Sequence, residues 1–424
     1  MMTNHIFDAA AVLVVLAAFF SYVNYRLLRL PPSIGLMLSG LVASLVVLGI
    51  GAVAFDLELL RESVQNAVES VHLPGLLMHG MLSFLLFAGA LHMNLDDLLA
   101  DKVPILSLAT AGVLISTAII GLGSHWLFQL AGVTVALPYC LVFGALISPT
   151  DPIAVLGIMK TAGAPKRLEV KVAGESLFND GVGIVVFSVL LAAASDSHPG
   201  EIELLSVAGM FLREVVGGVG LGLVAGLAVY QAMKTVDEPN LEILLSLALV
   251  MGITAIGFAL HTSAPLACVV AGLFIGNHGR RFAMSDRVTE ALDLFWSFTD
   301  HTLNGVLFLL LGLEVWVLSY EAESLNALAY LIPLTLLGRL VCVWIPVRIL
   351  RRRYDLAPGT VSILTWGGLR GGISVALALS LPSFEGRDAV LTATYGIVVF
   401  SILVQGLTIG RVIRRVGNKS GSLT

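Results

Sequence analysis

A chain of 424 residues is long enough for two or three soluble domains, but composition excludes that reading. Hydrophobic residues make up 57% and charged residues 12% of the chain, with a mean hydropathy of +0.94, against roughly 45–50% and about 25% in soluble domains. The net charge of −5 is spread thinly, which leaves no basic face for nucleic acid, so the composition describes an all-α polytopic membrane protein.

A hydrocarbon core about 30 Å thick needs roughly 20 apolar residues per helix. In chain order the expected spans are 7–25, 33–54, 75–93, 104–130, 138–159, 171–194, 205–232, 241–260, 264–277, 300–319, 326–349, 360–381 and 389–412, about thirteen in all. The first has no basic residue before it, the earliest being Arg26, and lacks the positive n-region and cleavage site of a secretory signal. It is expected to be a retained helix. The acidic 55–72 stretch reads as a loop. Cys140, Cys268 and Cys342 each sit inside an apolar run and form neither a disulfide framework nor a metal-ligand spacing.

Basic residues fix the orientation, because short cytoplasmic loops collect Lys and Arg. With the N-terminus outside, the cytoplasmic segments hold Arg26 and Arg29, Lys102, Lys160 through Lys171, Lys234, Arg280 through Arg287, Arg348 through Arg353, and Arg411 through Lys419. That is most of the 24 Lys and Arg. The C-terminus is therefore expected in the cytoplasm, and the location to be the plasma (bacterial inner) membrane.

Two spans are interrupted. The fifth contains Ser148-Pro149-Thr150-Asp151-Pro152, and proline both removes a backbone donor and pushes its predecessor out of the α region. The twelfth contains Gly367-Gly368-Leu369-Arg370-Gly371-Gly372. Freed backbone groups at membrane depth require protein or a watery cavity around them. The breaks fall in the fifth helix of spans 1–6 and the fifth of spans 8–13. That odd offset implies two inverted six-helix repeats whose broken helices meet at the midplane, the pattern of a transporter.

Charged side chains deep in a span are costly and usually functional. Besides Arg370 these are Asp151, Glu175, Asp180 and Arg339. In the sixth span Ser176 shares a face with Asp180, and Glu175 with Asn179, while Glu175 and Asp180 point roughly 140° apart. One carboxylate can therefore face a cavity while the other faces a neighbouring helix. Pairing offsets much of the cost of a buried Glu and a buried Arg, so Glu175 is expected to pair with Arg339 as a structural bridge. Asp180 is then the free carboxylate, with Asp151, Thr150, Ser176 and Asn179 as nearby oxygen donors suited to a small hard cation.

Four stretches, GALISPTDPIAV (144–155), GESLFNDGVGIVV (174–186), FLLLGLE (308–314) and WGGLRGGISVALA (366–378), resemble the NhaP-type branch of the cation/proton antiporters, which also includes the eukaryotic sodium/proton exchangers. SAPLACVVAGLFIGN (263–277) is a weaker fifth. The resemblance implies an NhaA-like fold and a homodimer embedded in lipid. Segments 1–100 and 241–320 would form a dimerisation scaffold, 104–194 and 326–415 a mobile ion-binding core, and 205–232 a linker helix. Thr150 and Asp151 match the family's unwound-helix pair, Asn179 and Asp180 its ion-binding pair, Ser176 a ligand-contributing serine, Glu175 and Arg339 the stabilising ion pair, and Arg370 the arginine of the crossing helix. The cation ligands would be Asp180, Asp151, Ser176 and Thr150. One position departs from the pattern: relatives often carry glutamate where Ala88 stands, and His92 follows one turn later.

The expected activity is exchange of Na⁺ or Li⁺ for H⁺ in support of pH homeostasis. The proton and the cation compete for Asp180, because burial favours its protonated form and a nearby cation its charged form. One carboxylate implies electroneutral one-for-one exchange with no cofactor and no enzymatic activity, Asn179 standing where a second Asp would invite a second proton. Potassium/proton exchange is the alternative within the same family. An intramembrane aspartyl protease is remote, since the Gly-x-Gly-Asp signature is absent and Asp151 lies between Pro149 and Pro152.

Overall fold

The computed structural model describes residues 2–54, 80–195, 204–313, 322–354 and 359–421. In chain order it contains α1 (Met2–Val23), α2 (Pro32–Ala54), α3 (Leu82–Leu91), α4 (Leu95–Ala100), α5 (Lys102–Leu130), α6 (Leu137–Ile147), α7 (Ile153–Thr161) and α8 (Lys166–Ser195). These are followed by α9 (Leu204–Met233), α10 (Pro239–Leu260), α11 (Ala264–Phe274), α12 (Asp286–Leu313), α13 (Ala322–Tyr354), α14 (Thr360–Trp366), α15 (Gly372–Leu379), α16 (Arg387–Phe400) and α17 (Leu407–Gly421). Among the described residues there is no strand, and the single β-type bridge joins Asp151 to Leu369.

Eight helices of the described residues are long and apolar enough to cross a membrane. They are α1, α5, α8, α9, α10, α12, α13 and the continuous run from α16 into α17. Of the remaining apolar helices, α3 and α6 are shorter, as is the Pro32–Val46 part of α2, and α6/α7 and α14/α15 are halves of interrupted segments. Large apolar side chains such as Val15, Trp126, Val224 and Leu294 remain exposed, as expected where lipid rather than water is the solvent.

Most of the interior is one apolar cluster that includes Phe128, Phe143, Leu146, Phe308 and Val343. A second cluster joins Phe87 of α3, Tyr230 and Met233 of α9, Leu249 and Ile253 of α10, Ala271 of α11 and Trp296 of α12. The Trp296 indole N–H donates to Ser246 Oγ at 3.0 Å, so the polar atom of the largest side chain in this cluster is satisfied.

One boundary is moved. The tenth span, expected at 300–319, belongs to a helix that already begins at Asp286. Its first half is amphipathic, with Val288, Leu292 and Trp296 buried four residues apart and charged residues between them. A hydropathy ruler scores that as polar, whereas its 3.6-residue period is plainly helical. The end of that span and Glu314 of the third motif lie outside the described residues, as do the 55–72 loop and positions 75–79.

Candidate cation-binding site

The two interrupted segments meet at their breaks. The chain leaves α6 at Ser148 and re-enters helix at Ile153, and the opposing break runs from Gly367 to Gly371. Where they pass, Asp151 N–H donates to Leu369 O at 2.8 Å. The Arg370 guanidinium then reaches the α6 end, donating to Pro149 O at 2.9 Å and to Ser148 O. Proline had left these terminal carbonyls without helical donors, and a cation is the favourable partner for the negative pole of a helix C-terminus. At the other side Asp151 Oδ1 accepts from Ile153 N–H at 2.8 Å, placing a carboxylate at the positive end of α7. A side chain at Gly371 would collide with the Asp151 carboxylate, and one at Gly368 with the Arg339 guanidinium. Glycine at these positions leaves room for the charged side chains of Asp151 and Arg339 against the break.

Helix α8 runs beside the crossing and bonds to it through Asn179 and Ser176. Asn179 clasps the break with both ends of its amide: Nδ2 donates to Thr150 Oγ1 at 2.9 Å, and Oδ1 accepts from Thr150 N–H at 3.3 Å. Thr150 Oγ1 also lies 3.1 Å from Ser176 Oγ. Glu175 faces the opposite neighbour, where its Oε2 accepts from Arg339 Nη2 at 3.0 Å and its Oε1 from Nη1. Arg339 is further held by Leu364 O, at 3.0 Å from Nη2 and 3.2 Å from Nε. Both ends of this bidentate pair are buried, so each charge compensates for the water the other has lost.

Asp180 is different. It is 6% exposed, and its Oδ1 is buried without a hydrogen-bond partner. A carboxylate oxygen left unsatisfied in a low-dielectric interior is expensive. It lines a cavity of about 700 Å³, together with Thr150 and Asp151 from the break and with Lys160 and Lys166, which are exposed. The structure thus brings Asp180, Asp151, Thr150, Ser176 and Asn179 to one place. It sets Glu175, Arg339 and Arg370 behind them, bonded to other protein groups.

The facing wall belongs to α3 and α12. Ala88 lines the cavity and offers no side-chain oxygen. His92, one turn on, lines it too, but its Nδ1 lies 2.7 Å from Ala88 O and its Nε2 3.4 Å from Asp293 Oδ1. It is engaged away from Asp180. Sequence reasoning did not single out two further lining residues, Asp300 and Asn304 of α12. The signal was present as an Asp with an Asn four residues on, but it sat at the edge of a span whose start was placed too late.

A membrane-embedded bundle with crossed broken helices and an unpaired buried acid is the architecture of a secondary transporter. The profile described as "Sodium/hydrogen exchanger, transmembrane" matches residues 14–415, and the chain belongs to that family of transporters. It is 46% identical over 413 residues to the Na(+)/H(+) antiporter NhaP of Pseudomonas aeruginosa, covering 96% of each chain. It is also 34% identical over 394 residues to the Na(+)/H(+) antiporter NhaH of Halobacillus aidingensis, covering 92% and 93%. Its fold matches that of the sodium proton antiporter MjNhaP1 from Methanocaldococcus jannaschii with a TM-score of 0.78 at 19% identity, over 98% of this chain and 99% of that one.

Proposed function

We propose that this protein exchanges Na⁺ (or Li⁺) for H⁺, one for one, with the proton and the cation competing for Asp180. The observation that carries this reading is the unpartnered, buried Oδ1 of Asp180 beside a cavity. Such a group is expected to be either protonated or paired with a mobile cation, because among the described residues no cationic side chain pairs with it. Thr150 and Asp151 line the same cavity, and Ser176 stands behind Thr150 at 3.1 Å, so hard oxygens lie close to Asp180. Thr150 and Ser176 are hydrogen-bonded to each other and Asp151 Oδ1 to the Ile153 N–H, so the second partner of Asp180 would come from solution.

The wider arrangement follows from the same reading. Thirteen helices in two inverted repeats would place the two breaks at the midplane, with the N-terminus outside and the C-terminus in the cytoplasm of a bacterial inner membrane. The cavity mouth at Lys160 and Lys166 then faces the cytoplasm. Segments 104–194 and 326–415 form the moving core, and the separate apolar cluster around Phe87 and Trp296 supports a scaffold that stays still. The scaffold serves a homodimer. If the core swings only when Asp180 carries a proton or a cation, exchange is obligatory. The loaded site bears the same charge either way, so the membrane potential, worth about 2.3 kcal/mol per charge per 100 mV, does not drive the cycle.

The test is proton flux in proteoliposomes with each alkali cation in turn. Sodium-coupled flux in the native protein and none in Asp180→Asn is expected. Flux that survives this substitution removes Asp180 from its role, and flux driven by potassium but not by sodium overturns the ion assignment.

A further inference from the structure

Helix α12 turns one polar stripe toward the cavity. Ser297, Asp300, Asn304 and Leu307 all line it, at the three- and four-residue spacing that keeps side chains on one helical face. The stripe leads to the crossing. Leu307 stands where any side chain on Gly372 would collide with it, and the adjacent Gly371 has the same relation to Asp151. Asp300 lies seven residues before Leu307, roughly 10 Å along the helix axis. Asp300 thus lines the same cavity as the α8 residues Leu177 and Asp180 and the break residue Asp151.

The charges of the cavity make this residue conspicuous. Its acids are Asp97, Asp151, Glu169, Asp180 and Asp300, and its bases are Lys160 and Lys166, with His92 the one histidine. Asp97 is 3.4 Å from Lys166, and His92, 3.4 Å from Asp293, interacts electrostatically with Asp300, as does the adjacent His301. The bonded partner of Asp300 is an amide: Asn304 Nδ2 donates to its Oδ1 and to its backbone O, each at 2.9 Å. An amide donor fixes a carboxylate without cancelling its charge. The neighbouring wall of α3, through Leu82, Leu85, Leu86, Ala88 and Gly89, contributes no acid at all. A mid-helix aspartate at this depth is costly unless it has a task, and the contacts around Asp180 do not involve it.

From this placement we infer that Asp300, steadied by Asn304, is a second station for the transported cation, holding it part-hydrated on the scaffold wall before it passes to Asp180 and Asp151. A carboxylate and an amide oxygen are hard donors suited to an alkali cation. A negative wall in a narrow cleft concentrates such ions before they bind. The inference rests on the proposed exchange at Asp180 and adds to it the residue that sets how readily the cation arrives. The site determines apparent affinity from one side of the membrane, that of the cavity mouth.

The experiment compares the native protein with Asp300→Asn in proteoliposomes, with Na⁺ supplied at the face carrying Lys160 and Lys166. Asn preserves the acceptor for Asn304 and deletes only the charge. Loss of the unit charge at the proposed station predicts an apparent KM for Na⁺ raised about fivefold, with kcat changing less. Asp300→Glu should recover most of the native KM. Asp300→Ser, which also removes the charge, gives the same readout should the Asn variant not be recovered folded. A KM within twofold of native in the neutral variants, or a fall in kcat with KM unmoved, overturns the station. Asp180→Asn is measured alongside. If that variant still couples sodium to protons, the exchange reading itself fails; if it is inert while Asp300→Asn keeps the native KM, only the station fails.

Discussion

Arg370 and Pro149 lie on different interrupted segments, and the guanidinium of the first donates to the backbone oxygen of the second at 2.9 Å. A side chain of one broken helix thus terminates the other. The two breaks are one construction.

Removing that side chain leaves buried carbonyls with no donor, so Arg370→Ala should cost about 3–5 kcal/mol of stability, read as a large drop in unfolding temperature in detergent. Arg370→Lys, which keeps the charge but not the fork, should recover part of it. Sodium affinity in whatever folded Ala variant is obtained should stay near native, because the guanidinium is spent on Ser148 and Pro149. A folded variant that binds no ion would make the arginine a ligand instead.

Asp180→Asn should separate activity from stability. It replaces an unpaired buried charge with a neutral group of the same shape. The unfolding temperature is therefore expected to equal or exceed that of the native protein while exchange is lost. A clearly less stable variant would show that the carboxylate has a structural partner.

Glu175 and Arg339 should behave in the opposite way. Deleting either one strands a buried charge, at a cost of about 3–5 kcal/mol, whereas the double substitution Glu175→Ala with Arg339→Ala should cost distinctly less than the sum. A double-mutant cycle on thermal stability measures the coupling, and strict additivity would refute it.

Asn179→Asp introduces a second acid beside Asp180. If a single carboxylate is what makes exchange electroneutral, this variant should acquire a rate that responds to a valinomycin-imposed potential while the native protein does not. The variant will also be less stable, because the amide N–H that binds Thr150 Oγ1 is gone.

Acid stability should depend on Asp101, which lies just before the first residue of α5 and is 2% exposed. Burial alone pushes its carboxyl up, but hydrogen bonds and charges from Arg167 and Lys171 outweigh that and hold it below the ordinary value of 3.8. A depressed folded value means that the stabilisation is fully present above 3.8 and is lost as pH falls through the folded value. Unfolding temperature plotted against pH should accordingly drop more steeply at the acid end for the native protein than for Asp101→Asn, which should be less stable near neutrality. Parallel curves would exclude this linkage.

How much of this could be read beforehand depended on whether the signal was local. Apolar runs, the Pro149 and Pro152 bracket around Thr150 and Asp151, and the four glycines around Arg370 declare themselves within a few residues, and the cost of a charge at mid-span marks the acids and arginines without any structure. The start of α12 was hidden because its burial is carried by a stripe rather than by total hydropathy. Which carbonyls Arg370 would meet depends on two segments more than 200 residues apart, and the standing of Asp300 depends on a cavity formed by several helices. What Asp180 and its neighbours accomplish in transport rests on the flux measurements above.

The close approach at Gly368 and Gly371 also limits how ion preference can change by substitution. A Cβ at either position would collide with the Arg339 guanidinium or the Asp151 side chain, so a substitution there would displace one of the two charged groups beside the break. At the proposed cation site, Thr150→Ser and Ser176→Thr each change the bulk beside the break by a single methyl group, and on that proposal these are the substitutions expected to alter the preference among alkali cations.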